Sequence, residues 1–282
     1  VASLAFANGR LMLGGKFNGA GAVPRRNIAA LDAHTGVVTE WAPDADNQVS
    51  GLLLDGNTLY ARGNFQNIGG QARTGLAALD VTQNSNSATA FLANVGGICF
   101  DMAMAGSTLY LGGSFSTING TARANLAAVD AATGSLNAWN PGTDGLVNSI
   151  DTGGNFVYIG GQFTEVSNQF RNKIASVHMA TGAVLPFDPN VGPQSASVND
   201  LLVSGDKVYL SGAFTTVSGQ NRVLIAEVDA FTGQPTPLAI SIVPSSAPGL
   251  AKRGNILFLS GLSSSGTVQG VPVSNVAAVD VT

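Results

Sequence analysis

The chain has 282 residues, of which 45% are apolar and only 11% charged, with 36 glycines and a formal net charge of −4. That balance, with no basic cluster larger than Arg25-Arg26 or Lys252-Arg253, excludes an electrostatic footprint for nucleic acid. No run approaches the roughly 18 continuous apolar residues of a membrane-spanning helix, and the lone Cys99, in an apolar run, reads as a small buried hydrophobe.

Residues 1–48 open on an apolar run, 1–6, and then read Leu11-Met12-Leu13-Gly14-Gly15-Lys16-Phe17. Two further runs follow: 27–32, which ends in Asp32, and 37–41, which comes after Thr-Gly and leads into Trp41-Ala42-Pro43. The series returns in 49–97, with runs 49–54, 59–65 and 75–80. It is clearest in 98–146, where runs 99–104, 109–115 and 125–130 precede 135–139 and Trp139-Asn140-Pro141. Residues 147–196 carry 147–151, 157–163, 173–178 and 183–187, and residues 197–246 carry 198–203, 208–214 and 224–229. The last copy, 247–282, keeps a weak 249–251, then 257–261 and 275–280.

Glycines 15, 63, 113, 161, 212 and 261 mark the period, at spacings of 48, 50, 48, 51 and 49. No helical repeat of tetratricopeptide or ankyrin length fits it, whereas a four-stranded propeller blade does. Runs of five to seven apolar and β-branched residues bounded by Gly, Asn, Asp and Pro are strands. The expected fold is all-β: a six-bladed β-propeller with four-stranded antiparallel blades, the last lacking its outer strand within residues 247–282. The repeats share one core, so the expectation is a single domain over 1–282, cut from a longer protein since the chain begins at Val1 and stops after a third-type strand.

The unit Tyr-x-Gly-Gly-x-Phe, then Arg, then Leu-Ala-Ala-x-Asp, then Thr-Gly and Trp-x-Pro resembles the delta-sixty β-propeller repeats of bacterial secreted and surface proteins. The glycine doublet and the tryptophan also resemble kelch blades. The resemblance spans essentially the whole chain and implies a propeller beside adhesion and sorting modules, with no assigned activity. Ala30-x-Asp32-x-x-x-Gly36 and Ala128-x-Asp130-x-x-x-Gly134 look like the docking motif of quinoprotein propellers. Here, however, Trp41 and Trp139 fall five residues after the glycine rather than four, and the acidic ligands of those enzymes are not assembled.

Two sets of residues invite a functional reading. Arg25, Arg73, Arg123, Arg171 and Arg222 precede the third run, and Asp32, Asp80, Asp130, Asp229 and Asp280 end it, with His178 in place of Asp in the fourth copy. Repetition in nearly every copy points to scaffold, an Arg fork tying turns together through carboxylates or loop carbonyls, rather than to a ligand site per blade. The first run is where copies differ. Alignment puts Ser3, Gly51, Asp101, Ser149, Asp200 and Gly249 in one column, with neighbours that include Asn148 and Asn199. First strands line a propeller's channel, so Ser3, Asp101, Asn148, Ser149, Asn199 and Asp200 are the candidate ligand site, with Asp101 and Asp200 able to share a cation. Asp44-Ala45-Asp46-Asn47 lacks the glycine and closing glutamate of a calcium loop and reads as a solvated turn. Loops 83–88, 191–196 and 235–248 break the repeat and are candidate partner surfaces.

No Ser-His-Asp, Cys-His or phosphate-loop pattern occurs, so no catalytic residue is named. The expected role is a non-enzymatic, cofactor-free module, secreted or at the cell surface, that binds a protein or glycan, or neighbouring subunits of an assembly. The alternatives are a glycan-active hydrolase or lyase at the channel mouth and a structural unit of an extracellular filament.

Overall fold

The short apolar runs are realised as strands, and no helix occurs among the residues described by the computed structural model, 1–243 and 247–282. Loop 235–248 therefore falls partly outside the described residues. The chain divides into two compact units, Val1–Ala138 and Trp139–Thr282. In the first unit the sheets are Ser3–Ala7, Arg10–Gly14, Ile28–Asp32; then Val49–Asp55, Thr58–Gly63, Leu76–Asp80; then Val95–Ala105, Thr108–Ile118, Leu126–Asp130. In the second they are Val147–Gly153, Phe156–Gly161, Ile174–His178; then Ser197–Ser204, Lys207–Ala213, Ile225–Asp229; then Gly249–Arg253, Ile256–Ser260, Val276–Asp280. The glycine-doublet run is the central, antiparallel strand each time, and these six sheets are numbered first to sixth in chain order.

A fourth run joins five of these sheets only briefly. In the first repeat it is held by two backbone bonds, Asp32 N to Val37 O and Thr39 N to Ala30 O, both 2.8 Å. The chain then leaves the sheet at Trp41-Ala42-Pro43, where proline can donate no ladder bond.

Each repeat also inserts a small hairpin between its second and third strands, which the sequence reading took for a turn. Examples are Gly19–Ala20 with Val23–Pro24, Glu165–Val166 with Gln169–Phe170, and Thr216–Val217 with Gln220–Asn221. The tip in the third repeat is Asn119-Gly120, at φ 51° and 77°, the two left-handed residues of a type I′ turn.

The residue before the third strand is left-handed in all six repeats: Asn27, Gly75, Asn125, Lys173, Leu224 and Asn275, at φ between 63° and 75°. Asn and Gly accept that conformation readily, whereas a lysine side chain crowds the carbonyl. Lys173 is also buried, with its ammonium 3.4 Å from a single carbonyl, Gln162 O. Lys173→Asn is therefore expected to stabilise the chain by about 1 kcal/mol. A urea midpoint that stays put or falls would show that the lysine packs well enough to offset the strain.

Packing follows from the fourth run. Its aromatic residue turns away from its own sheet and is buried on the next: Trp41 among Ala61, Phe65, Ile68 and Leu79, and Phe91 among Leu111, Phe115, Ile118 and Val129. In the second unit Phe187 sits likewise among Leu210, Phe214, Val217 and Val228.

Candidate functional site

The aligned column is a true register position. Ser3, Gly51, Asp101, Ser149, Asp200 and Gly249 lie opposite Gly14, Arg62, Gly112, Gly160, Ser211 and Ser260 on their central strands. In four sheets the residue just before the column, Ser50, Phe100, Asn148 or Asn199, is skipped by the pairing register. A bulge of this kind leaves one residue unpaired and re-aims its neighbours.

Three column side chains, Ser3, Ser149 and Asp200, point to the following sheet. Ser3 Oγ accepts from Leu52 N at 3.0 Å. Ser149 Oγ accepts from Leu201 N at 3.2 Å and donates to Asp200 Oδ1 at 3.2 Å, while Asp200 Oδ2 accepts from Leu250 N at 2.7 Å. Every one of these backbone donors lies one residue past the column on the next sheet. Gly51 has no side chain to offer, and Arg62 lies over it: a Cβ there would sit 2.4 Å from Arg62 Nε. The guanidinium instead reaches Asp101 Oδ1 at 3.8 Å. Beside the column, Asn148 Nδ2 donates to Val198 O at 2.9 Å, and Asn199 Oδ1 accepts from Ser197 Oγ at 2.8 Å.

The structure thus pairs Ser149 with Asp200 in the second unit, where Asn148 bonds separately to Val198 O and Asn199 to Ser197. Ser3 and Asp101 sit in the first unit with separate partners. Asp151, which the sequence reading passed over, joins the same stitching: it accepts from Val203 N at 2.8 Å, and burial pushes its carboxyl up against the pull of that bond. No group of three His, Cys, Asp or Glu side chains placed to hold a metal ion occurs among the described residues.

The arginine series binds carbonyls, not carboxylates. Each Arg donates one terminal nitrogen to the carbonyl of the residue before it and the other to the fourth run: Arg25 to Pro24 O and Thr39 O, Arg73 to Ala72 O and Thr89 O, Arg123 to Ala122 O and Asn137 O. Arg171 and Arg222 repeat the pattern with Phe170 O and Leu185 O, and with Asn221 O and Thr236 O. The planar fork locks hairpin to fourth run. Asp44 and Asp46, the faint calcium loop, are spent on Arg26 N, on Gln66 N and on Asn67 Nδ2.

The aspartates close the turn that follows the third strand. Asp130 Oδ1 takes Ala132 N, Thr133 N and Thr133 Oγ, and Asp32, Asp80 and Asp229 do the same with Thr35, Thr82 and Thr232. Asp280 accepts from Thr282 N, and His178 Nδ1 stands in as acceptor for Ala180 N at 3.2 Å. The Thr133 hydroxyl and backbone bonds hold the Asp130 carboxyl below its ordinary value. A carboxyl held low adds stability at pH above its unfolded value of about 3.9 and loses it as pH falls through the folded value. Thr133→Val is expected to move the Asp130 titration back up toward about 3.9, followed by carboxyl NMR. An unmoved titration would mean that the backbone bonds alone set it.

Two indoles donate to carbonyls at the ends of third strands. The indole of Trp41 donates to Asp80 O at 3.4 Å, and that of Trp139 to His178 O at 3.1 Å. Where the fourth run carries Phe, a tyrosine of the central strand does the job: Tyr60 OH donates to Ala131 O at 2.7 Å and Tyr158 OH to Ala230 O at 2.9 Å. Burial pushes the Tyr158 hydroxyl up to about 12, so it stays a donor.

No family model matches the sequence, and no curated relative was found. Solved structures do match. The computationally designed propeller Ika8 superposes with a TM-score of 0.54 at 17% identity, covering 99% of this chain and 70% of that one. The extracellular domain of the one-component system BT4673 from B. thetaiotaomicron gives a TM-score of 0.60 at 11% identity, over 98% of this chain and 32% of that one. The chain is a β-propeller. At these identities the likeness is one of fold. In that fold the bonds of Ser3, Ser149 and Asp200, and those of the Trp41 indole, Tyr60 and Tyr158, join consecutive blades.

Proposed function

We propose that this propeller is a non-enzymatic binding module that works outside the cell and engages a protein or glycan surface. The observation that carries the reading is the set of hairpin arms. Each arginine clamps the carbonyl of the residue just before it, and that residue is of four types over five repeats: Pro24, Ala72, Ala122, Phe170, Asn221. A fixed backbone that presents exchangeable exposed side chains is what a binding face requires, and Phe170 is 60% exposed. The repeated polar residues, by contrast, are bound into turns and blade junctions. The BT4673 match is described as an extracellular domain, which supports the location.

The test is a glycan array and a panel of purified surface proteins probed with the 282-residue chain. Saturable binding that Phe170→Ala weakens, with an unchanged urea midpoint, is the expected result. Release of new reducing ends from a polysaccharide would replace this reading with the hydrolase one. Concentration-dependent self-assembly without ligand binding would favour the filament unit.

A further inference from the structure

Between the fourth and fifth sheets, rings fill the space beside the turn that follows the third strand. Phe156 meets Tyr158 at 6.4 Å between ring centroids and Phe231 at 6.3 Å, both edge to face, and Tyr158 OH donates to Ala230 O. The same positions between the first and second sheets carry no ring. Arg10 and Met12 stand in register where Phe156 and Tyr158 do. Thr82 follows Asp80 by two residues, as Phe231 follows Asp229. What three rings fill in one place is in the other a cavity of about 220 Å³, lined by Ala7, Asn8, Arg10, Met12, Val81 and Thr82.

The floor of this cavity is apolar and buried: Ala7, Met12 and Val81 are 4, 0 and 2% exposed. Arg10, half-buried, is the one charged residue in the lining. It donates once, from Nη1 to Val81 O at 3.2 Å, the carbonyl equivalent to the Ala230 O that Tyr158 bonds. Asp32 is its partner across the ladder, yet among the described residues Arg10 makes no ion pair within 4.0 Å. The Asp32 and Asp80 carboxylates are taken up by their own turns, through Thr35 and Thr82. Arg10 Nε and Nη2 thus keep their donors, in the planar fork that matches a carboxylate, at the rim of an apolar floor.

We propose that this cavity is a binding site for a single six-membered ring that carries a carboxylate. The ring lies on Ala7, Met12 and Val81, in the volume that rings occupy between the fourth and fifth sheets, and the carboxylate takes the free side of the Arg10 fork. The cavity is smaller than the roughly 300 Å³ at which pockets for drug-sized ligands begin, so it holds one ring and no more. A uronic acid at the end of a glycan and a benzoate-type acid share this chemistry. The site uses none of the hairpin-arm residues and goes beyond the reading built on them.

The probes are sodium glucuronate and sodium benzoate, with glucose and benzyl alcohol as their neutral counterparts. Each is titrated into the 282-residue chain and followed by NMR at the Met12 methyl and the Arg10 Nε–H group. Saturable shifts at both groups are expected with at least one acid, at a dissociation constant of about 1 mM, and at least about tenfold weaker with its neutral counterpart. Arg10→Gln removes the charged fork, and Thr82→Phe supplies the ring that Phe231 places in the equivalent space. Each should weaken binding at least about tenfold, and the urea midpoint of each reports whether it folds. Two independent variants keep the test decisive if one of them fails to fold. Binding of glucuronate alone makes the ligand a glycan end, and binding of benzoate alone makes it an aromatic acid. The proposal is overturned if the neutral counterparts bind equally, if every folded variant binds like the parent, or if neither acid moves these signals up to about 50 mM.

Discussion

Trp41→Ala is expected to destabilise the first unit by about 3–5 kcal/mol, the range for deleting a fully buried large aromatic. Trp41 is 0% exposed and packs on Phe65, Ile68 and Leu79 of the following blade, so the cavity it leaves is walled by two sheets that cannot both collapse. The indole bond to Asp80 O adds a directional component that a hydrophobe cannot replace. Trp41→Phe separates the two contributions. It retains most of the buried area, yet removes the indole donor and leaves Arg10 Nη1 on Val81 O, at 3.2 Å, to bridge the first repeat to the next, because Met12 occupies the register position held by Tyr60 in the second. A loss of about 1–2 kcal/mol is expected, combining the smaller ring and the missing bond. Adding Met12→Tyr should recover part of it by recreating the Tyr–Phe arrangement, in which Tyr60 and Phe91 meet edge to face at 5.6 Å. Urea denaturation of the three variants checks the scheme. If Trp41→Ala costs less than about 1 kcal/mol, the aromatic plug is not what joins these blades.

That alternation explains what the sequence could and could not disclose. The period of the glycines and the Thr-Gly…Trp-Pro pattern follow from backbone geometry, and they carry the all-β repeat and the propeller fold. Aligning the first runs also placed Ser3, Asp101, Ser149 and Asp200 correctly in one register. What alignment could not say is where those side chains point. A column of Ser and Asp beside Asn148 and Asn199 reads equally well as a ligand ring or as a set of caps on neighbouring backbone amides. Only the backbone donors they meet on the next sheet, Leu52 N, Leu201 N and Leu250 N, distinguish the two. The same holds for Arg25 and its equivalents, whose carbonyl partners lie one and fourteen residues away, or sixteen for Arg73, and have no sequence signature. The hairpins did have one: Asn119-Gly120 and Ser218-Gly219 are two-residue turn pairs between short polar runs. The aromatic bridge had half of one. The tyrosine recurs at 60, 110, 158 and 209 whether the fourth run carries Phe or Trp, so the residue type alone does not mark the repeats that use it as the bridge.

Gly161→Ala is expected to cost at least about 3 kcal/mol, and more than a single methyl would normally bring. A Cβ at Gly161 would lie 2.0 Å from Leu146 O and 3.0 Å from Val147 Cα. Both are backbone atoms of the paired strand, so no rotamer change relieves the clash. The cause is the bulge: pairing passes from Val147↔Gly161 to Ser149↔Gly160, and skipping Asn148 swings the preceding carbonyl onto the central strand. Gly63, Gly113 and Gly212 meet carbonyls at 2.0–2.1 Å for the same reason, next to the bulges at Ser50, Phe100 and Asn199. The first glycine of the doublet is under a different constraint. A Cβ at Gly160 would meet Val198 Cγ1 at 2.5 Å, a side-chain atom, and its counterparts include Arg62 and Ser211. Position 160 therefore tolerates variation and position 161 does not, which is the pattern the six copies display. Gly154→Ala is the matched control: at φ 59° with nothing within 4 Å of a new Cβ, it should lose only the left-handed penalty of about 1–2 kcal/mol. If the two variants unfold at the same urea concentration, the bulge relaxes around the methyl and the carbonyl contact is not what constrains position 161. If Gly161→Ala falls well below Gly154→Ala, the carbonyl contact is the constraint, and the bulge that stitches Ser149 and Asp200 to the next blade depends on it.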